Sequence, residues 1–496
     1  MKMKKMILMG LVIVLGLTSC EKYLDINYDP NSPTVENITV DMIMPGVEMS
    51  LAADYGDFLR ITGGYFAQQY AQSFGTSNYL DYSKFNMSAT RGSTTYTQLT
   101  TKVLNNIKTM LELSAANEEW GTYLAATTLR VFTYQVLVDA FGEVPYTEAL
   151  DKTNLSPKYD DGQTIYNGIL AELNNALSKA SAADLVCTNF LFGTNTAAPW
   201  IKFANALKLR ILMRMSNVVD VQSQVAALIA ENNFPTEDVA YNDCWTDELG
   251  KASPFYQEEY ATYFGSTQIN VILNLALLNA MQAYEDGRLE VSFAKNDAGE
   301  YTGGISGSNF STSSSMKSGF WCRPVFKYDM PVNMITVSET EFFLAEYYAR
   351  YGSETEAAAH YRNAVQASFQ SLGAEGADAA IAAYPFSSAD YRRVIGIQKW
   401  IALGCMNNFE AWCEMRRLDY PAFGTVKGTD LYDEINDSSY SPSALVPGTL
   451  YTPIKYYTPL GENKILERFP YAESSTSRNS NYGTQPSLST PVFWGN

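Results

Sequence analysis

The sequence predicts a mainly α protein, built on a scaffold of paired helices of tetratricopeptide type that carries long, loop-rich insertions. Three observations lead there. Apolar residues recur at spacings of three and four in several long windows, which is the period of one helix face. One pair of these windows keeps the spacing of a tetratricopeptide repeat. Between the windows lie long stretches with no helical period, rich in Tyr, Gly, Ser and Thr.

The helices are legible in order. Residues 101–114 place Val103, Leu104, Ile107, Met110 and Leu111 on one face. Residues 120–141 are apolar nearly all round, which marks a central, buried helix. Gly142 supplies its stop and Pro145 prevents resumption. Asp161-Gly162 offers a cap for a helix over 163–180. Pro199 stands where a first-turn proline is tolerated, ahead of a helix over 200–219. Further helices are expected over 268–284, 338–351, 354–372 and 395–416.

The repeat signature lies in 338–372. Leu344, Ala345, Tyr348, Ala357, Tyr361 and Ala364 match the consensus spacing. Small residues at 345, 357 and 364 let two antiparallel helices approach, and Leu344, Tyr348 and Tyr361 fill the gaps. Gly352 breaks the chain between them. Glu341 replaces the preferred Trp, and Phe369 the preferred Pro. Other helix pairs do not keep the period, so the scaffold is irregular.

Residues 20–50 read as an extended leader, with turn chemistry at Asp29-Pro30-Asn31-Ser32-Pro33. Insertions are expected near 60–97, 233–266 and 296–321, and residues 420–496 have little helical period. Loops this long on a helical scaffold are usually functional.

The first residues carry an export signature. Lys2, Lys4 and Lys5 precede an apolar run from Met6 to Leu17, too short to span a bilayer. The run ends Leu17-Thr18-Ser19-Cys20, the layout of a lipobox. Residues 1–19 are thus expected to be a lipoprotein signal peptide and Cys20 a lipid attachment site, leaving 20–496 as a single domain. Acyl chains there would anchor the chain without crossing the membrane. The net charge of −18 disfavours nucleic acid. The remaining cysteines, 187, 244, 322, 405 and 413, fit no zinc spacing. The single histidine, His360, sits in a helical run and reads as structural; it rules out sites built on several histidines. No cofactor is expected.

Five strings in order resemble a known family. They are Asp25-Ile26-Asn27-Tyr28-Asp29-Pro30-Asn31; Asp139-Ala140-Phe141-Gly142-Glu143-Val144-Pro145-Tyr146; and Trp200-Ile201-Lys202-Phe203-Ala204 continuing to Arg210. Then come Gln398-Lys399-Trp400 with Glu410-Ala411-Trp412 and Arg416-Arg417; and Arg468-Phe469-Pro470-Tyr471 with Glu473 and Asn479. Together they resemble the SusD/RagB outer-membrane nutrient-binding lipoproteins, in the SusD-like second branch. The resemblance implies a non-enzymatic protein on the cell surface, beside a SusC-like TonB-dependent transporter, that captures an oligosaccharide or polysaccharide. It also implies a fold with tetratricopeptide-like units on one side and a loop-rich variable half that holds the ligand.

Read from their residues, the strings look structural. Arg210 and Arg214, four apart on one helix face, suit buried carboxylates. Lys399 and Glu410 read as packing with a salt bridge, and Arg416-Arg417 as cations at a helix end. Ligand contacts are expected from the loops, because aromatic rings match the apolar faces of sugars. Tyr is frequent, 34 residues against 24 Phe. The candidates are Tyr79, Tyr82 and Phe85 in the first insertion, Trp245 in the second, and Phe320 and Trp321 in the third. Asp160-Asp161-Gly162 lacks the EF-hand spacing and reads as a cap. Two other functions remain open: capture of peptides by the same machinery, and a surface glycosidase working through two carboxylates.

Overall fold

Trp120–Phe141 is buried on every face and forms the centre of the scaffold, as its uninterrupted apolar character requires. In this computed structural model, residues 37–73, 77–261, 270–308, 318–433 and 440–496 are described. The 1–19 signal, Cys20, the Asp25–Asn31 string and the leader as far as residue 36 lie outside the described residues.

Around the central helix pack Asn105–Ala116, Gly162–Lys179 and Ala198–Met215. The pair Val337–Tyr351 and Glu354–Leu372 packs along its length and continues the scaffold through Ala198–Met215 to Tyr391–Met406 and Asn408–Leu418. The mainly helical fold class is therefore observed. The repeat residues behave as their sizes dictate: Ala345, Ala357, Ala364 and Tyr361 are buried between the two helices. Glu341, at the position where the repeat prefers Trp, accepts from the His360 Nδ1–H at 2.7 Å, and the imidazole stacks on Tyr348 at 5.1 Å. His360 thus joins the two helices of the pair.

Caps follow local chemistry. The Asp161 carboxylate accepts from the Thr164 backbone N–H at 2.9 Å, and Ser353 and Thr336 cap their helices likewise. Asp160 next door holds a loop, accepting from the backbone N–H groups of Tyr146 and Thr147 at 3.1 and 2.8 Å.

Several expectations need correction. The leader is not extended to residue 50: Val40–Asp54 is a helix with Pro45 inside it. Pro45 is the sixth residue of this helix, so it forgoes a bond to the Asp41 carbonyl, and the buried Met44, Val47, Glu48 and Leu51 beside it hold the helix in place. The expected helix 395–416 is two helices. They break at Asn407, whose side chain caps the second by accepting from the Glu410 N–H. The helix expected over 268–284 runs Leu275–Ala283 and follows a short strand, Val271–Leu273. That expected over 200–219 ends at Met215.

The insertion near 60–97 is also more internal than its composition suggests. Arg60–Phe66 is a fully buried helix packed on Asn408–Leu418. Gly63 makes this contact possible, since a Cβ there would lie 2.5 Å from the Asn408 carbonyl oxygen. The glutamines that follow satisfy buried backbone: Gln69 donates to Trp400 O at 2.8 Å and Gln68 to Tyr451 O at 2.6 Å.

Two-stranded ribbons tie the insertions together. Tyr70–Gln72 pairs antiparallel with Val271–Leu273, with Ala71 opposite Ile272. Val239–Tyr241 pairs with Val332–Ile335, Phe293–Ala294 with Arg323–Pro324, and Phe423–Lys427 runs parallel to Leu450–Thr452.

Three of the four family strings within the described residues converge on one buried ionic network. Arg210 grips Glu339 through two contacts of 2.7 Å. Arg214 bridges Asp139 at 2.5 Å, Glu410, and Glu414 at 3.2 Å. Lys399 meets Glu414 at 2.9 Å. Burial alone would raise the Glu414 carboxyl, but Arg417, Lys399 and Arg214 outweigh it and hold it well below the usual carboxylate range. Arg416 and Arg417 stand in the last turn of Asn408–Leu418, as expected of cations at a helix end, but both are buried. Arg416 donates to Glu467 O and Asp139 O and lies on the Trp412 ring, while Arg417 pairs with Glu346 and Glu414. The last string closes over the helix stop: Arg468 reaches Glu143, and its guanidinium occupies the space a Cβ at Gly142 would need. Gly142 adopts φ of 83°, a conformation glycine tolerates without strain.

Candidate ligand-binding site

The chain leaves the buried Arg60–Phe66 helix, forms the Tyr70–Gln72 strand and emerges at Tyr79. Gln72 accepts from the Tyr79 backbone N–H at 2.8 Å, which fixes where the Tyr79 ring begins. The ring stacks on Tyr82, centroids 5.8 Å apart and planes 13° from parallel. Its hydroxyl donates to Glu259 at 2.6 Å. Tyr79 is half-buried, whereas Tyr82 is buried and braced edge-on by Phe58 and Phe66.

These two tyrosines border a cleft of about 250 Å³. Its other walls come from three directions: Asp57 and Phe58 from the π-helical turn Tyr55–Leu59, Arg91 and Thr94 from Ala89–Thr97, and Glu258 from Gln257–Ala261. The cleft therefore offers an aromatic pair, a guanidinium, hydroxyls and carboxylates within one depression. That mixture suits a ligand with apolar faces and hydroxyl edges.

Burial raises Asp57 in the lining and Asp54 and Glu259 near it. Burial, then the neighbouring Glu258, Glu259 and Asp54 charges, push Asp57 well above its ordinary value. Burial raises Glu259 to about 7, against the Tyr79 hydrogen bond that lowers it. Burial likewise raises Asp54 to about 7, although Thr95 donates to it at 3.1 Å. Burial lifts the Tyr82 phenol to about 12, so it stays a neutral donor. Among the described residues no group of His, Cys, Asp and Glu could hold a metal ion.

The six sequence candidates separate into distinct places. Tyr79 and Tyr82 share the cleft. Phe85 is wholly buried against the edges of Phe423 and Tyr456, so it is part of the core and presents no face to a sugar. Phe320 and Trp321 form a second aromatic cluster with Tyr440, at centroid distances of 4.7–5.8 Å. Trp321 is 1 % exposed, so its ring faces are taken up by packing; Phe320 is half-buried. Trp245 lies apart from both, donating its indole N–H to Tyr241 O at 2.8 Å. Flexible flanking composition does not place an aromatic outside. Large apolar rings bury wherever a neighbour can cover them.

The two aromatic clusters are nevertheless joined. The Gly307 N–H donates to Ser83 Oγ at 2.7 Å, and Tyr440 donates to Gly303 O at 2.9 Å. Sequence reasoning missed Asp57, Arg91, Glu258 and Tyr440. Arg91 and Glu258 stood within insertions already singled out; nothing in the local sequence marks Asp57.

With the helical-pair scaffold and the string network in place, comparison with known proteins is informative. Residues 34–441 match the second SusD-like family, described as "Starch-binding associating with outer membrane". The chain belongs to the SusD-like family. Solved SusD-like relatives share the architecture over almost their full length. A chitin-binding protein superposes with a TM-score of 0.73 at 20% identity, covering 92% of this chain and 99% of the other. A SusD homologue from Bacteroides uniformis gives 0.70 at 22% identity, covering 92% and 100%. A chitin-binding SusD homologue from Flavobacterium johnsoniae gives 0.69 at 17% identity, covering 90% and 95%. At these identities the likeness establishes the fold. No curated protein sequence matches the chain.

Proposed function

We propose that this SusD-like protein is a cell-surface lipoprotein, anchored through Cys20, that binds an oligomeric glycan at the Tyr79–Tyr82 cleft. It then delivers that glycan to a SusC-like TonB-dependent transporter. The observation that carries the reading is the stacked tyrosine pair at the border of a cleft that also holds Arg91, Asp57 and Glu258. A half-buried ring supported from behind by a second ring is a rigid platform with little conformational entropy left to lose. Hydroxyl and charged groups on the opposing walls suit the edges of a sugar. Membership of a family described as starch-binding and associated with the outer membrane supports the same reading.

The test is calorimetric titration with a panel of oligosaccharides. Oligomers of N-acetylglucosamine and of glucose come first, given the ligands named for the relatives and the family. At least one should bind the wild-type protein, and Tyr79→Ala should weaken it about tenfold, the loss of one stacking contact with its covered area. A panel without heat, or an unaltered affinity in Tyr79→Ala, would overturn the site. The bound oligomer should be recovered uncleaved; hydrolysis would instead favour a glycosidase. Cys20→Ala should release the protein from membranes without changing the affinity.

The acidic lining favours one alternative ligand, a basic peptide. Titration with a lysine-rich peptide mixture separates the two: heat there, and none with the glycans, would replace the glycan reading.

A further inference from the structure

Buried arginines in this protein follow a rule with one exception. Arg210, Arg214, Arg288, Arg417 and Arg468 each contact a carboxylate, and Arg416 donates to two backbone carbonyls. Arg60 is 7 % exposed, yet among the described residues it makes no ion pair, and its Nε has no hydrogen-bond partner. A buried cation without compensation is costly, so proteins pair it or hold a counter-charge beside it.

Arg60 borders a cavity of about 270 Å³, whose lining shares no residue with that of the tyrosine cleft. Its guanidinium lies over the Phe255 ring at 4.5 Å, and that ring stacks on Tyr70 at 5.8 Å. The Phe255 ring backs the guanidinium, the Tyr70 phenol engages one side of it, and Nε is left without a partner on the lining of the cavity. Lys327 adds a second cation to the lining. The acidic groups there are Asp238 and Asp329. Asp238 is engaged, accepting from the Val337 N–H at 2.8 Å and from Ser371 Oγ at 2.6 Å. Phe293, Pro324 and Met406 supply apolar wall. A planar fork of N–H donors on the lining of a cavity with apolar wall matches one ligand chemistry above others: a carboxylate on a small organic body.

We propose that this cavity is a binding site for a small carboxylate ligand, held by Arg60. The site is independent of the glycan cleft, and neither depends on the other being correct. It would let a protein of strongly negative charge admit an acidic molecule at one defined point.

The test is calorimetry on the full chain with sodium D-galacturonate, sodium acetate and neutral D-galactose. Galacturonate should bind and galactose should not. Binding of acetate as well identifies the carboxylate alone as the determinant; binding of galacturonate only identifies an acidic sugar. Arg60→Met should weaken binding at least about 30-fold, the effect of removing one partner of a buried charge pair, and Arg60→Lys should recover part of it. Cys405 gives a readout without mutation, because its partly buried thiol lines the same cavity. Its alkylation rate, followed by peptide mass mapping, should fall when galacturonate is present and stay unchanged with galactose. That measurement decides the matter if Arg60→Met does not fold. Equal binding of galactose, full affinity in Arg60→Met, or a Cys405 rate indifferent to galacturonate would each overturn the proposal.

Discussion

The string network of the scaffold and the tyrosine cleft are both rich in charge, yet they treat it in opposite ways. In the scaffold, Arg210, Arg214, Lys399 and Arg417 are interleaved with Asp139, Glu339, Glu346, Glu410 and Glu414. Every carboxylate there meets a cation. At the cleft, Asp54, Asp57, Glu258 and Glu259 crowd together with Arg91 as the cation of the lining. In the first arrangement cations compensate the buried carboxylates; in the second the acids outnumber the cation, and burial raises Asp54, Asp57 and Glu259 instead.

Variants can break this contrast. The largest effect is expected from Arg214→Ala. It strands Asp139 in the interior and leaves Glu410 with Arg210 alone at 3.5 Å, and removal of one partner from a buried pair costs about 3–5 kcal/mol. Urea unfolding should show the loss; a change below about 1 kcal/mol would mean the network is not a stability element. Next comes Gly63→Ala, where the new methyl meets backbone of the Asn408–Leu418 helix that cannot yield easily. A loss of about 1–3 kcal/mol is expected from such overpacking.

A pH titration sharpens the comparison at the level of the whole molecule. Burial raises Glu48, Asp54 and Glu259 to about 7 each, and Glu467 as well. A carboxyl with a raised folded value binds more protons folded than unfolded between its two values. Its contribution is therefore fully present at low pH and declines as pH rises from the unfolded value near 4.5 through about 7. Scaffold carboxylates such as Glu414 and Glu346, held low by Arg417, lose their contribution only at more acid pH. Melting temperature should accordingly be higher at pH 5 than at pH 8. The reverse order would show that the buried acids are not protonated in the fold.

The smallest effect is expected from Tyr79→Phe. It keeps the ring and removes the donor to Glu259, so stability should fall by about 1 kcal/mol while glycan affinity stays close to wild type. Affinity lost as fully as in Tyr79→Ala would move the weight of recognition from the ring to the hydroxyl.

Much of this was legible beforehand, for reasons that can be named. Trp120–Phe141 and Glu354–Leu372 are found with the expected bounds or nearly so, because long periodic helices declare their buried faces locally. Arg210 and Arg214 announced carboxylate partners through their spacing. The break at Asn407 was hidden, since apolar periodicity continues across it and only the cap geometry of one asparagine interrupts the helix. The first insertion was misread in part. Tyr, Gln and Gly suggest a wet loop, but Gln68 and Gln69 are buried donors to backbone far along the chain.

By itself, then, the sequence determined where the helices run, that two of them form a tetratricopeptide-like pair, and which strings tie the chain to its family. Those features depend on neighbours within a few turns. The tertiary structure alone decided the fate of the polar and aromatic residues. Arg214 meets Glu410 across 196 positions and Tyr79 meets Glu259 across 180. Whether an aromatic ring stays half-buried at a cleft, as Tyr79 does, or becomes a core ring, as Phe85 does, depends on which distant segment comes to cover it. No local pattern encodes that, because the covering surface exists only once the chain has folded.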